Sequence, residues 1–274
     1  MTTGFFAQAV PIIQVSEIKP GMKGYGLTVF QGTKPERFDV EVISVIPNFF
    51  VKKDIILIRC NHPVTDQSGV IGGMSGSPIF LDGRLAGALA YGWSFSKEPI
   101  AGVTPISAMM DVLKRKPKMK TNFFKRKGTV IALGEKFENE AGLPKIKDES
   151  GYFEAFAKNA GTSIIPARTP LTLAGFSSSV QKMLSEALEI FEIEPMMGGG
   201  ASSSKEDPIT FENGSAIGVQ LIRGDMAATG IGTVTLVDGK NVLAFGHPMF
   251  NLGEGYFPVT TARIHTVISS LARS

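Results

Sequence analysis

Ile79-Phe-Leu-Asp-Gly-Arg-Leu-Ala-Gly-Ala-Leu-Ala90 reads as two strands joined by Asp82-Gly83, a dipeptide that accepts the left-handed backbone of a two-residue hairpin turn. On its upstream side stand Gly72-Gly-Met-Ser-Gly-Ser-Pro78 and, before that, the apolar run Asp54-Ile-Ile-Leu-Ile-Arg59. Further upstream, Gly24 to Phe30 and Phe38 to Ile46 are strand-like, the second with near-strict alternation. Residues 13 to 106 therefore read as a succession of strands, closed by a short helix from Ser107 to Arg115.

Thirty-one glycines, sixteen prolines and many short Val/Ile/Leu runs in 274 residues favour a mainly β architecture. With 43% hydrophobic and 19% charged residues, the chain is an ordinary globular one with enough apolar material for a substantial core. A net charge of +3 is too small to suggest a nucleic-acid partner. The basic run Lys114 to Lys120, continued at Lys125 to Lys127, is expected to be a solvated linker, with contact to acidic lipid or polymer as the alternative. Cys60 is the single cysteine, so an internal disulfide is excluded.

Beyond residue 117 the pattern loosens. Strands are expected at Gly128 to Leu133 and near Leu171 to Leu173. An amphipathic helix is expected from Ser179 to Glu192, with Val180, Met183, Leu184, Leu188 and Phe191 on its apolar face and Ser178 with Gln181 as a capping box. Gly198 to Ser204 reads as a flexible linker; it lacks the Gly-Lys-Ser/Thr ending of a phosphate loop. Ile217 to Ile222, Gly232 to Val237 and Asn241 to Phe245 then form strands, the last two joined at Asp238-Gly239. The expected partition is 1–12, a signal-peptide remnant ending in Ala-x-Ala; 13–116, a first β unit; 117–212, a mixed connecting segment; and 213–274, a second β unit. Export is expected from that remnant, and the ending Ser269 to Ser274 reads as cut within a longer polypeptide.

Ser75, pinned in a glycine-framed turn with Pro78 just beyond, is a candidate nucleophile. A serine hydroxyl attacks poorly at neutral pH, so it needs a base for its proton and N–H groups for the oxyanion. The backbone amides of Gly73 and Ser75 are the candidates for the latter. The competing reading is a tight surface loop. Of three histidines, His62, His247 and His265, the best candidate base is His247, held between Gly246 and Pro248 directly after a hairpin. Cys60, His62 and Asp66 lack a recognised zinc spacing, so neither a metal nor another cofactor is expected.

Gly73-Met-Ser-Gly-Ser-Pro78 with the Asp-Gly-x-Leu-x-Gly-Ala hairpin, and Ala227-Ala-Thr-Gly-Ile-Gly-Thr233 leading to Leu243-Ala-Phe-Gly-His247, resemble the SpoIVB peptidase family of serine peptidases. The resemblance implies a chymotrypsin-like double half-barrel, Ser75 as nucleophile and His247 as general base. It also implies a protein or peptide substrate. The order is inverted relative to the family's sporulation members, in which histidine comes first; triads recur on unrelated folds in several chain orders.

The acid is less evident. The family's aspartate falls on Cys60 or Asn61, depending on alignment, and the nearby Asp66 is the expected acid, with Asn61 as the alternative. Tyr91, Trp93 and Phe95 alternate after the nucleophile hairpin and either line a substrate cleft or cover the core; Tyr91 and Trp93 are taken as substrate contacts. The expected function is a serine endopeptidase. The alternatives are a non-catalytic binding module on a peptidase scaffold and a peptidase that processes its own chain.

Overall fold

The structure, a computed structural model, describes residues 10–50, 53–93, 96–114, 164–188, 191–198, 210–249 and 255–268. The Ala-x-Ala segment, the strand expected at 128–133, Phe95, and nearly all of the basic run, the glycine-serine linker and the last six residues lie outside them.

The fold is mainly β, the chymotrypsin-like architecture that the resemblance implies. Six strands close into an antiparallel barrel: β1 (Lys23–Thr28), β2 (Glu36–Phe50), β3 (Lys53–Asn61), β4 (Pro78–Leu81), β5 (Arg84–Trp93) and β6 (Ile100–Pro105). Their order is β4-β1-β2-β3-β6-β5, and β5 pairs back to β4. A short helix α1 (Pro63–Ser68) follows β3, and α2 (Ile106–Leu113) follows β6. The β4–β5 turn uses Asp82 and Gly83, both with positive φ (49° and 72°), as a right-twisted ribbon requires.

Alternation fills the barrel. Phe38, Val40 and Val42 point inward from β2 and Ile56, Ile58 and Cys60 from β3, so that Val40 faces Cys60 and Val42 faces Ile58 across the ladder. A register shift between Val42 and Ser44 then changes which residues face the core and turns Val45 onto it. Met74, Ile79, Leu81, Leu89 and Val103 complete the same cluster.

A second, open sheet has the order β13-β10-β11-β8-β9, with β12 paired to β11. Its strands are β8 (Thr169–Ala174), β9 (Ile193–Met197), β10 (Ala216–Ile222), β11 (Ala227–Asp238), β12 (Asn241–Ala244) and β13 (Val259–Thr261). β8 and β9 run parallel, connected through helix α3 (Ser178–Leu188). One further strand, β7 (Ile164–Pro166), pairs with the far end of β5.

Three local expectations are corrected. The helix starts one residue early, its backbone capped from Ser177, whose hydroxyl accepts from the Val180 amide, and not by a Ser178–Gln181 box. Met183 is exposed; the half-buried face carries Leu184 and Leu188, and Phe191 packs on the same cluster from beyond the helix, which ends at Leu188 and not at Glu192. In the β11–β12 hairpin Asp238 pairs with Asn241, so the turn residues are Gly239 and Lys240.

The barrel and the open sheet belong to one compact unit and share a small core of their own. Phe80, Leu85 and Ala88 from the barrel hairpin, Ile106 and Met109 from α2, and Leu236 and Leu243 from the β11–β12 hairpin pack together. This contact fixes the segment that follows β12 against the turn that precedes β4. Among the described residues no helix is long and apolar enough to cross a membrane.

Candidate active site

The nucleophile turn is built into the end of the β5 ladder. The Gly76 amide donates to the Leu89 carbonyl at 2.7 Å, and the Leu89 amide donates to the Ser77 carbonyl at 2.9 Å. Gly76 takes a φ of 98°, and a Cβ there would overlap the Thr233 carbonyl and crowd the Phe245 amide, so only glycine fits. Ser75 follows from this geometry as a fully buried hydroxyl, 0% exposed.

The Ser75 Oγ donates to the carbonyl of Phe245 at 2.6 Å, two residues before His247. The two sequence motifs, 170 residues apart, therefore meet. Around them the open sheet reaches onto the turn through threonines. Thr233 donates its amide to the Ser75 carbonyl (2.8 Å) and its hydroxyl to the Gly73 carbonyl (2.8 Å), while Thr235 donates to the Gly76 carbonyl (2.7 Å). From β6, Thr104 donates to the Gly246 carbonyl at 2.9 Å and so holds the peptide just before the histidine.

Reading for motifs missed these threonines. Their signal was present in Gly232-Thr-Val-Thr235: residues two apart on a strand share a face, so Thr233 and Thr235 both point the same way, here toward the barrel.

His247 Nδ1 lies 2.9 Å from the Pro248 carbonyl. A carbonyl only accepts, so with its proton on Nδ1 the neutral ring donates to Pro248 and leaves the Nε2 lone pair free. That Nε2 is buried and has no hydrogen-bond partner among the described residues. Burial pulls the pKa of the ring below its usual value; the nearby Pro248 and Ala167 carbonyls offset part of this by favouring the protonated form. The Tyr91 ring approaches that of His247 at 6.4 Å between centroids. Tyr91 is buried, which pushes its phenol up to about 12, and it contacts the side chain of Thr104; Trp93, two residues on, is half-buried.

The structure does not bring Asp66 to the histidine. Asp66 is exposed in the first turn of α1, where its amide donates to the His62 carbonyl, and the Nδ1 position that an acid would occupy belongs to Pro248. Asn61 ends β3 with its backbone paired to Asp39 and is likewise exposed. His62 is no ligand or base here: its Nδ1 accepts from the Val64 amide as the cap of α1, and its ring stacks on Phe30 at 4.2 Å. His265 is exposed.

The two expected oxyanion donors differ. The Gly73 amide donates to the Arg168 carbonyl at 3.1 Å, whereas the Ser75 amide has no acceptor among the described residues.

No curated protein and no solved structure matches the chain. Residues 1–110, the stretch that carries the barrel and the Ser75 turn, match the family described as SpoIVB peptidase S55, which is the family the sequence motifs resemble.

Proposed function

We propose that the protein is a serine peptidase in which Ser75 is the nucleophile, His247 the general base, and the Ser75 and Gly73 amides the oxyanion donors. The family match supports a serine peptidase in general and, with it, a protein substrate. The observation that carries the assignment of residues is the hydrogen bond from the Ser75 hydroxyl to Phe245, which puts the nucleophile beside the histidine segment.

In the reaction the Ser75 hydroxyl rotates from the Phe245 carbonyl to His247 Nε2, the one ring nitrogen with a free lone pair. Nε2 takes the proton as Oγ attacks the scissile carbonyl, and the resulting imidazolium returns that proton to the leaving amine. The Pro248 carbonyl fixes the tautomer, the orienting half of a triad acid's work. It carries no full charge, so it stabilises the imidazolium less than a carboxylate does. An enzyme slower than one with a full triad is therefore expected.

A fluorophosphonate probe tests the proposal: it labels the folded chain, and labelling is lost in Ser75→Ala and in His247→Ala. One observation favours a second reading, a non-catalytic binding module: the Ser75 hydroxyl is fully buried and already satisfied by backbone. On that reading the folded chain takes up no probe under any condition, and the assignment fails.

A further inference from the structure

The side of β5 that carries the nucleophile turn does not end there. Along this one edge the partners run in sequence. Pro78 lies beside Ala88, and Gly76 and Ser77 bond to Leu89. The Ala167 amide then donates to the Ala90 carbonyl at 2.8 Å, and Pro166, Ile165 and Ile164 pair with Tyr91, Gly92 and Trp93. The strand Ile164–Pro166, prolonged by the Ala167 hydrogen bond, thus lies antiparallel to β5 and end to end with the nucleophile turn, and Arg168 follows it. An extended peptide added to an exposed sheet edge is bound in the same way, through main-chain hydrogen bonds.

Two further contacts place the segment in the reaction space. The Arg168 carbonyl sits on the Gly73 amide, one of the two oxyanion donors, and the Ala167 carbonyl lies near the His247 ring. The side chains are held as specifically as the backbone. Ala167 is 4% exposed and packs its small apolar side chain into the barrel cluster. The Arg168 guanidinium meets two carboxylates, Glu192 at 3.5 Å and Glu194 at 3.3 Å, in a cleft of about 160 Å³ that Glu186 also lines.

We propose that Ile164–Arg168 is an internal, substrate-like occupant of the peptide-binding edge of β5, and that the external ligand of this edge is an extended peptide with a small apolar residue followed by a basic one. The inference rests on the peptidase reading for the word substrate and on the strand geometry alone for the word occupant. It accounts for two features together: the occupied Gly73 amide and the ion pairs of Arg168. An outside peptide enters only when this strand leaves, and the two ion pairs set how readily it does.

The test uses the full chain, the variant Arg168→Glu, which sets a third carboxylate against Glu192 and Glu194, and a fluorescein-labelled peptide Ile-Ile-Pro-Ala-Arg. Fluorescence polarisation is expected to show the variant binding the peptide at least tenfold more tightly than the parent chain. Replacing the peptide's arginine by glutamate is expected to remove that gain. Fluorophosphonate labelling of Ser75 is expected to rise by a similar factor. A folded variant that neither binds the peptide more tightly nor labels faster overturns the proposal. Should Arg168→Glu not fold, Arg168→Ala gives the same readouts, with a smaller rise expected and the same null result overturning it. Tighter peptide binding with no labelling of any form keeps the occupant and removes the peptidase reading. Equal labelling and equal peptide binding in parent and variant remove the occupant and keep the peptidase reading.

Discussion

The barrel and the open sheet hold the two halves of the site in different ways. In the barrel every strand from β1 to β6 has two neighbours, and the turn that carries Ser75 continues one of those ladders. In the open sheet the histidine follows β12, a four-residue strand paired only to β11. The nucleophile is therefore fixed by a closed structure, and His247 by a few contacts at the seam: Thr104 on Gly246, Ser75 on Phe245, and the Leu236 and Leu243 side chains against Phe80 and Leu85. Ladder hydrogen bonds thus concentrate on the Ser75 side, and fewer hold the His247 segment.

The harshest way to break this arrangement is to fill the seam. Gly76→Ala forces a side chain onto the Thr233 carbonyl and the Phe245 amide at a positive φ. A loss of about 4 kcal/mol or more is expected, read as a greatly lowered midpoint in urea or no folded protein. Next in size is a cavity in the barrel. Ile58 is 0% exposed, and Ile58→Ala is expected to cost about 2–5 kcal/mol. Leu184→Ala, on the half-buried face of α3, is expected to cost about 1–2 kcal/mol. Cys60 reports which part has opened: it faces the barrel interior and burial pushes its thiol up to about 12, so a disulfide reagent reacts with it only once the barrel opens. Faster reaction in Ile58→Ala but not in Leu184→Ala supports two separable regions; equal acceleration contradicts it.

Thr233→Val removes the donor to the Gly73 carbonyl and the contact with the Thr28 hydroxyl at 3.3 Å, leaving a buried carbonyl short of a partner. About 1–3 kcal/mol is expected, together with slower probe labelling, because the turn that aims Ser75 loosens. The smallest expected effect is on pH dependence. Burial lowers the His247 pKa in the folded state, so the unfolded chain takes up this proton first as pH falls. The stability tied to neutral His247 is complete above the unfolded value of about 6.5 and declines as pH drops from there toward the folded value. His247→Asn is expected to flatten that part of the stability curve, and an unchanged slope would count against a buried neutral ring. Catalysis should share the direction, with the acidic limb of the rate profile below pH 6.5.

What the sequence disclosed follows the range of the interactions. The strands of the barrel were legible because alternation and the Asp82-Gly83 turn are local, and Ser75 and His247 because each sits in a short, constrained motif. Closure was not legible, since the pairing of β1 with both β2 and β4 brings together residues far apart in the chain. β9 was not anticipated: the expected helix ended at Glu192, and Ile193-Glu-Pro-Met-Met197, which contains a proline and no clear alternation, becomes a strand by lying parallel to β8. The acid failed for a related reason. A search for carboxylates cannot find a contact made by a backbone carbonyl: Pro248 was read as a residue that holds the histidine in place, not as a hydrogen-bond partner of its ring. Arg168 carried no motif at all, and its meaning comes entirely from Gly73, Glu192 and Glu194 around it.

Closure of the barrel also bears on how copies of this chain meet at high concentration. A cylinder of hydrogen-bonded strands has no long row of idle amides to offer a neighbour. Among the described residues the open sheet keeps border strands at β13, β9 and the short β12, and β9 carries the exposed methionines Met196 and Met197. Apart from the three-residue β7 beside β5, the borders open to strand addition thus lie in the histidine-bearing sheet, and a charged residue in place of Met197 is expected to improve solubility without touching the barrel.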